Sequence, residues 1–395
     1  MQEIQSRLLE AVQAAFRQET VSFTLSKEQL DALLILAQQQ KLLPLIFDAM
    51  KNSPALLSQP ETAARWRTLV RQQVMSQTVR SEQFGKTYAA LEAAGFHPLV
   101  VKGRLCSALY PQPDLRLSGD DDVLVPDAEF LPCCEALCAL GYQASSELSA
   151  QKPEIGFRMG GHFLELHRRL VSEPWPEANE LLQQSEPVIL TGVRTLAPTE
   201  HLLYLLLHAA RHFLAGGFGL RQIADIGLWA GAYEAQIDWP RLRSQLQVLG
   251  TEGFARGVFG AAKHYLHLPV PEGWAVSGED ALSLVQDCLE GGIYGTATQA
   301  RQHSAAMTLS AAQAGPSGDK SGLLRTVFPP RSYMEQRSPW LKGRPWLLPA
   351  AWIGRLADYA RNDGANSGAK QALALAKERR KLLQQYGLLD AQKRK

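Results

Sequence analysis

The sequence predicts an α+β fold: a small mixed-sheet core flanked by helical regions on its N-terminal and C-terminal sides. Three observations carry that reading. Short apolar runs bounded by glycine or proline, Leu99–Val101, Asp120–Val125 and Phe163–His167, are too short for helices and read as buried strands. Before about residue 94 and again after about residue 198, apolar residues recur at helical spacing. The 395 residues are enough for two or three packed units, and a hydrophobic fraction of 46% supplies their cores. The chain then divides into a helical region 1–94, an α/β core 95–197, a helical region 198–312, and a closing stretch 313–395.

Taken in order, Leu30, Leu33, Leu34 and Ala37, then Leu42, Leu45 and Ile46, mark helical faces, and Ser26 before Glu28 and Gln29 is a helix start. A long helix is expected from Glu61 to Ala94, stopped by Gly95. The strand Leu99–Val101 turns at Lys102-Gly103 into a helix Arg104–Tyr110. A Pro-rich loop then leads to the acidic strand Asp120–Val125, and a helix Ala128–Leu140 ends at Gly141. His162–His167 and Pro187–Leu190 are further strands. Past Pro198-Thr199-Glu200 the pattern is helical to about Ala312. Ala314–Gly322 has linker composition, and Val327–Pro349, rich in proline with two tryptophans, reads as an irregular arm across a surface. A basic helix, Ala369–Tyr386, precedes a charged tail. No internal repeat is seen.

Composition narrows the function classes. Lys+Arg 41 against Asp+Glu 39 gives no global basic field, so there is no strong indication of DNA binding. No apolar run reaches the ~18–20 residues of a transmembrane helix, and the amphipathic N-terminus with its acidic residues does not read as a signal peptide. Five cysteines, three of them at Cys133, Cys134 and Cys138 within one predicted helix, form no disulfide framework and read as buried thiols. A reducing cytoplasm is the expected setting.

The acidic strand carries the chemistry. Side chains alternate along a strand, so Asp120 and Asp122 share one face and Asp121 takes the other. Two carboxylates one strand-pitch apart repel, and a shared hard cation, Mg²⁺ or Mn²⁺, relieves the repulsion. Glu165, central in its own short strand, joins them if the two strands are neighbours. Asp121 is then left on the face that Val123 and Val125 bury. Either it pairs with a buried base or the strand begins after it, because an unpaired buried carboxylate is costly.

The series Lys102-Gly103, a leucine-bearing helix ending in Tyr110, Arg116, then Gly119-Asp120-x-Asp122-x-Leu124-Val125 and Glu165-Leu166-His167 resembles the uncharacterised bacterial nucleotidyltransferase family of the polymerase-β-like superfamily. Leu207-His208-Ala209-Ala210-Arg211-His212 and Leu220–Ile226 extend the resemblance, which spans roughly residues 25 to 360. It implies transfer of an NMP from ATP or another NTP to a hydroxyl or phosphate acceptor by a two-metal mechanism. Asp120, Asp122 and Glu165 would be the metal ligands and catalytic groups. The acceptor could be a small molecule, sugar, peptide, protein or RNA.

Lys102 and Gly103 would begin a helix that favours phosphate. The wider superfamily has Gly-Gly or Gly-Ser at this turn where this chain has Gly103-Arg104, which leaves Lys102 or Arg104 to supply the phosphate grip, or Lys102 as a strand-end lysine that reaches solvent. Arg116 is either a phosphate ligand or a partner that holds the acidic strand. His167 either reaches the metals or substrate or orients Glu165. His208 and His212, four apart on one helix face, read as a packed pair rather than a zinc site. Asp225 is a structural partner or a base contact. Two other functions stand beside the enzyme: a degenerate protein that binds a nucleotide or phosphate without chemistry, and a toxin-like enzyme that modifies tRNA.

Overall fold

The computed structural model describes residues 2–215 and 217–292, parts of 331–354, and 378–389. Helix α1 (Glu3–Phe16) is followed by α2 (Lys27–Gln39), α3 (Leu43–Met50), the single turn α4 (Pro54–Leu57) and the 34-residue α5 (Pro60–Ala93). Ser26 starts α2 as the sequence predicts. Its hydroxyl accepts from Gln29 N–H and its own N–H donates to the Gln29 side chain, so two donors left over by the first turn are satisfied reciprocally. Gly95, at φ +87°, ends α5 in the left-handed conformation that glycine takes without a Cβ clash.

The core alternates β1 (Leu99–Val101), α6 (Gly103–Ser107), β2 (Asp121–Leu124), α7 (Phe130–Ala139), β3 (Gln143–Ala144), β4 (Glu154–Met159) and β5 (His162–His167). The short helix α8 (Ala178–Leu181) and a small hairpin of β6 (Val188–Leu190) and β7 (Val193–Thr195) complete it. The main sheet has the order β1-β2-β5-β4-β3. Only the central pair β2–β5 is parallel, and its register sets Asp122 opposite Glu165. Three of the differences from the sequence expectations bear on the site. The acidic strand starts at Asp121, leaving Asp120 in the preceding loop. The helix expected at Arg104–Tyr110 stops at Ser107. Strand β4 was not foreseen, although Glu154-Ile-Gly-Phe-Arg-Met alternates polar and apolar and Gly160-Gly161 makes a two-residue hairpin turn with Met159 opposite His162.

Five helices follow: α9 (Pro198–Ala215), α10 (Leu220–Ala232), α11 (Trp239–Val248), α12 (Glu252–Tyr265) and α13 (Gly278–Gly291). Residues on every face of α9 are buried, which makes it the central post between the sheet and the later helices. Residues 378–389 return to this bundle. Arg379 pairs with Asp287 of α13 at 3.0 Å, and Tyr386 lies against α12 at Gly257, where its ring leaves no room for a Cβ. Cys133 and Cys134 are buried thiols, but Cys138, one turn on, is exposed, correcting the expectation of three buried ones.

The linker at 314–322 and the charged tail lie outside the described residues, as does the first half of the closing helix. Within the arm the described residues form 3₁₀ turns at Pro339–Leu341 and Pro345–Leu347, and Met334, Leu341 and Ala351 make a small separate cluster. Among the described residues no helix is long and apolar enough to cross a membrane.

Candidate active site

Asp122 is the hub. The parallel pairing of β2 with β5 brings Asp122, Glu165 and His167 together, with one potential ligand atom from each lying within 4.8 Å of the others. Asp122 is 1% exposed and faces two cationic groups: Lys102 Nζ at 2.8 Å and His167 Nε2 at 3.1 Å. Burial opposes its ionisation, but the Lys102 charge and His167 outweigh that and hold its carboxyl well below the usual range. Lys102 is buried with it. Desolvation works against the ammonium, yet the charge of Asp122 raises its pKa on balance.

His167 sits among three carboxylates. Its Nε2 faces Asp122 and, at 3.6 Å, Glu165, while its Nδ1 faces Glu154 of β4 at 3.2 Å. Burial alone would favour the neutral ring, but the hydrogen bonds to Asp122 and Glu154 raise it to about 9. Glu165 goes the other way from Asp122: burial, then the Asp122 charge, pushes its carboxyl up. Two carboxylates and an imidazole thus meet with one acid already disfavoured by its neighbour. Hard oxygens, with one imidazole nitrogen once it gives up its proton, suit a small divalent cation, and a group drawn from adjacent parallel strands is rigid enough to hold one.

The aspartate run divides as strand alternation requires. Asp121 projects to the opposite side, where His162 Nε2 meets its carboxylate at 3.0 Å. His162 Nδ1 in turn contacts Tyr142 Oη at 2.6 Å, and Tyr142 contacts Thr87 of α5 at 2.7 Å. The buried base expected for Asp121 is therefore His162. Asp120, half-buried at the strand entrance, is outside the three-residue group and lines the adjoining slot. Of the three residues expected as metal ligands, Asp122 and Glu165 lie together with His167 beside them, and Asp120 lies outside that group.

That slot lies between the Lys102-Gly103 turn, the loop before β2, and helices α9 and α10. Lys102, Gly103, Asp120, His208, His212 and Arg221 line it, and its volume is about 50 Å³. Lys102 Nζ is 3.3 Å from His208 Nε2, which is 2.9 Å from His212 Nε2. An ammonium can only donate, so His208 Nε2 accepts and His212 supplies the proton of the second contact. The packed histidine pair expected from their spacing is present at the slot wall.

Arg116 and Asp225 also line the slot, but the Arg116 guanidinium is held by partners within the protein. Its Nε and Nη2 each donate at 2.7 Å to Asp225 of α10, and its Nη1 donates to the Gly103 carbonyl at 3.2 Å. Tyr110 adds its hydroxyl to the same Asp225 oxygen at 2.9 Å. Arg104 leans the other way, its guanidinium beside Gly85 of α5 and outside the slot lining. The cation that sequence reasoning left out is Arg221, which donates to the Leu117 carbonyl and reaches the slot. Glu154 was missed with its strand.

Lys102 carries a φ of +56°, rare for a residue with a side chain. The neighbouring Gly103 stands at φ +24°, and a Cβ there would come within 2.8 Å of Asp121 Oδ1. Gly103→Ala is therefore expected to destabilise the fold by about 1–3 kcal/mol, through backbone strain and the displaced carboxylate together. A chemical-denaturation midpoint unchanged by the substitution would show that the turn tolerates a side chain.

The Lys102 backbone N–H donates to His201 Nε2 at 3.0 Å. His201 is fully buried in α9, and that burial pushes its imidazole down to about 3. An unfolded histidine titrates near 6.5. Between these values the unfolded chain binds a proton that the folded chain refuses, so stability is full above about pH 6.5 and falls as pH drops toward 3. Urea midpoints at pH 7.5 and pH 5 are expected to differ in that direction, with a smaller gap in His201→Gln. Equal gaps would remove His201 as a source of acid sensitivity.

The mixed sheet thus sets carboxylates opposite each other across its parallel strand pair, beside a turn that opens a helix. The chain belongs to the uncharacterised nucleotidyltransferase family, whose model matches residues 26–267. The match begins where the sequence resemblance does and ends well before residue 360. No curated protein and no solved structure matches the chain.

Proposed function

We propose that this protein is a Mg²⁺- or Mn²⁺-dependent nucleotidyltransferase that moves an NMP from an NTP, ATP among the candidates, onto a hydroxyl or phosphate acceptor. The observation that carries this reading is the Asp122–Glu165–His167 group beside a slot lined by Lys102, Asp120 and Arg221, with Lys102 bridging from the slot to Asp122. Asp122, Glu165 and His167 would hold the cation, with Asp120 of the slot lining adding a third oxygen donor. When bound, divalent metal supplies neutralisation of phosphate charge and acidifies an acceptor hydroxyl.

The chain's own groups do the rest. Lys102, already protonated, offers its ammonium to phosphate oxygens once Asp122 is shared with a cation. Arg221 and His212 add donors along the wall. Glu165, with its raised pKa, is the better proton acceptor of the pair. Catalysis is then positioning and charge neutralisation. Nucleotide-sized pockets are typically hundreds of Å³, so the 50 Å³ slot has to widen for a nucleotide to enter. Movement of α9 and α10 relative to the Lys102 turn is the expected route.

The test is incubation with Mg²⁺ or Mn²⁺ and each α-labelled NTP in turn, reading pyrophosphate release and label transfer. Metal-dependent transfer that disappears in Glu165→Gln is the expected result. NTP binding with no pyrophosphate release under any condition would favour the degenerate binding protein, and label appearing on tRNA would favour the tRNA-modifying enzyme.

A further inference from the structure

Helix α9 is rich in leucine, but one of its faces is polar. His201, Tyr204, His208 and Arg211 follow one another at helical spacing, which puts them on a single side of the helix. The two histidines hold Lys102 at both ends. His201 Nε2 accepts from its backbone N–H at 3.0 Å, and His208 Nε2 meets its Nζ at 3.3 Å. Lys102 Nζ is in turn 2.8 Å from Asp122. This face of α9 therefore lies across Lys102 from the candidate metal group.

Tyr204 sits between the two histidines, its ring centroid 6.5 Å from that of His201 and 5.7 Å from that of His208. It is 1% exposed, and its hydroxyl has no hydrogen-bond partner among the described residues. Burial pushes the phenol up, so it keeps its proton, and the charges of Lys102, Asp122, Arg211 and Asp120 all reach it. Phenylalanine would fill the same space without the cost of an unsatisfied hydroxyl. Arg211, two turns further along α9, donates to Ser172 Oγ at 3.0 Å and forms no ion pair among the described residues. Most of the donors of its guanidinium are thus left over. Its charge acts on Glu154, which the hydrogen bond to His167 chiefly, and Arg211 further, hold below the usual carboxylate range. Tyr204 therefore stands near the Lys102 end of the group and Arg211 near the Glu154 end.

We infer that this face of α9 is a phosphate clamp, in which the Tyr204 hydroxyl and the Arg211 guanidinium donate to the triphosphate of a nucleotide held at the metal group. The inference rests on the nucleotide reading above and adds two contacts to it. A guanidinium only donates and a protonated phenol can donate, while a phosphate chain offers acceptors alone. The planar fork of Arg211 suits paired phosphate oxygens, which a lysine would meet only as a point charge. The same helix then does two things: its histidines fix Lys102, and the residues between and beyond them take the substrate.

The experiment is calorimetric binding to the full chain in excess Mg²⁺, using the α,β-methylene analogues of ATP, GTP, CTP and UTP, which cannot release pyrophosphate. For the analogue that binds the wild type best, Tyr204→Phe and Arg211→Gln should each weaken binding about tenfold, as expected for the loss of one hydrogen bond to a charged group. The urea midpoint of Tyr204→Phe should not fall, because its hydroxyl has no protein partner to lose. Tripolyphosphate, with neither sugar nor base, should compete with the analogue and weaken by a similar factor in both variants. Undiminished analogue binding in either variant, or a lowered midpoint that accounts for the loss in Tyr204→Phe, would overturn the clamp. So would a loss that spares tripolyphosphate, which would move the contact to the sugar or base. If the wild type binds none of the analogues, the clamp and the nucleotide reading fall together. Weakened variants of a protein that turns over no NTP would leave the clamp standing and sink the transferase reading. Turnover with undiminished binding in both variants would do the reverse.

Discussion

Asp122→Asn is expected to abolish detectable nucleotidyl transfer, with a loss on the order of 10²–10³-fold or more. Asparagine keeps the shape of the side chain and an oxygen for His167, so the local geometry survives. The negative charge does not, and three consequences follow. The group of Asp122, Glu165 and His167 loses one of the two carboxylates that would hold a divalent cation. Lys102 loses the carboxylate that aims its ammonium at 2.8 Å. Glu165 loses the neighbour that raises its pKa and becomes a weaker proton acceptor. Asp122→Ala should be equally inactive and also less stable, because it leaves the buried Lys102 ammonium without its carboxylate and removes one of the three carboxylates around His167. Measuring label transfer beside a urea midpoint separates the two effects. Cys138→Ser, at an exposed position, serves as the control. Transfer in Asp122→Asn at the wild-type rate would place the chemistry elsewhere.

The second large effect is on stability. Asp225→Ala is expected to cost about 3–5 kcal/mol, the range for removing one partner of a buried ion pair. Arg116 is 2% exposed, and its guanidinium would face the vacated space with the Tyr110 hydroxyl. Removing both charges with Arg116→Met and Asp225→Leu should recover much of the loss, since the cost lies in the stranded charge. The sign with pH follows from Asp225. Burial raises its pKa, but the Arg116 charge and hydrogen bonds more than offset that and the net shift is downward. Its contribution is therefore complete above the unfolded value near 3.9 and is lost as pH falls through the lower folded value. An Asp225→Ala protein with wild-type stability and weakened NTP binding would instead make Arg116 a nucleotide ligand.

Much of the site was legible because it lies on short strands with sharp limits. Leu99–Val101 and His162–His167 have the predicted bounds, and alternation separates Asp122 from Asp121 before any pairing is known. What sequence could not supply was which strands are neighbours. The parallel register that sets Asp122 against Glu165 also carries His167 toward both, and β4 on the far side brings Glu154 to its Nδ1. Gly156 weakened the strand signal of β4, and Glu154 went unseen with it. His201 was hidden for another reason: it lies in the leucine-rich run of α9, where a histidine with one buried hydrogen bond resembles ordinary core. The narrowness of the slot depends on how closely two helices approach, a property with no local signature in the chain.

The packing of residues 378–389 bears on how the molecule is made. Tyr386 contacts the Asp280 carbonyl from 106 positions further along the chain, and Leu383 is fully buried beside it. A ribosome therefore releases α12 and α13 long before the segment that covers them exists. During that interval the open face around Gly257 and Phe213 is bare to the cell's folding and degradation machinery. A chain truncated before residue 378 would keep β2 and β5 but lack the side chains that pack over Gly257 and Phe213.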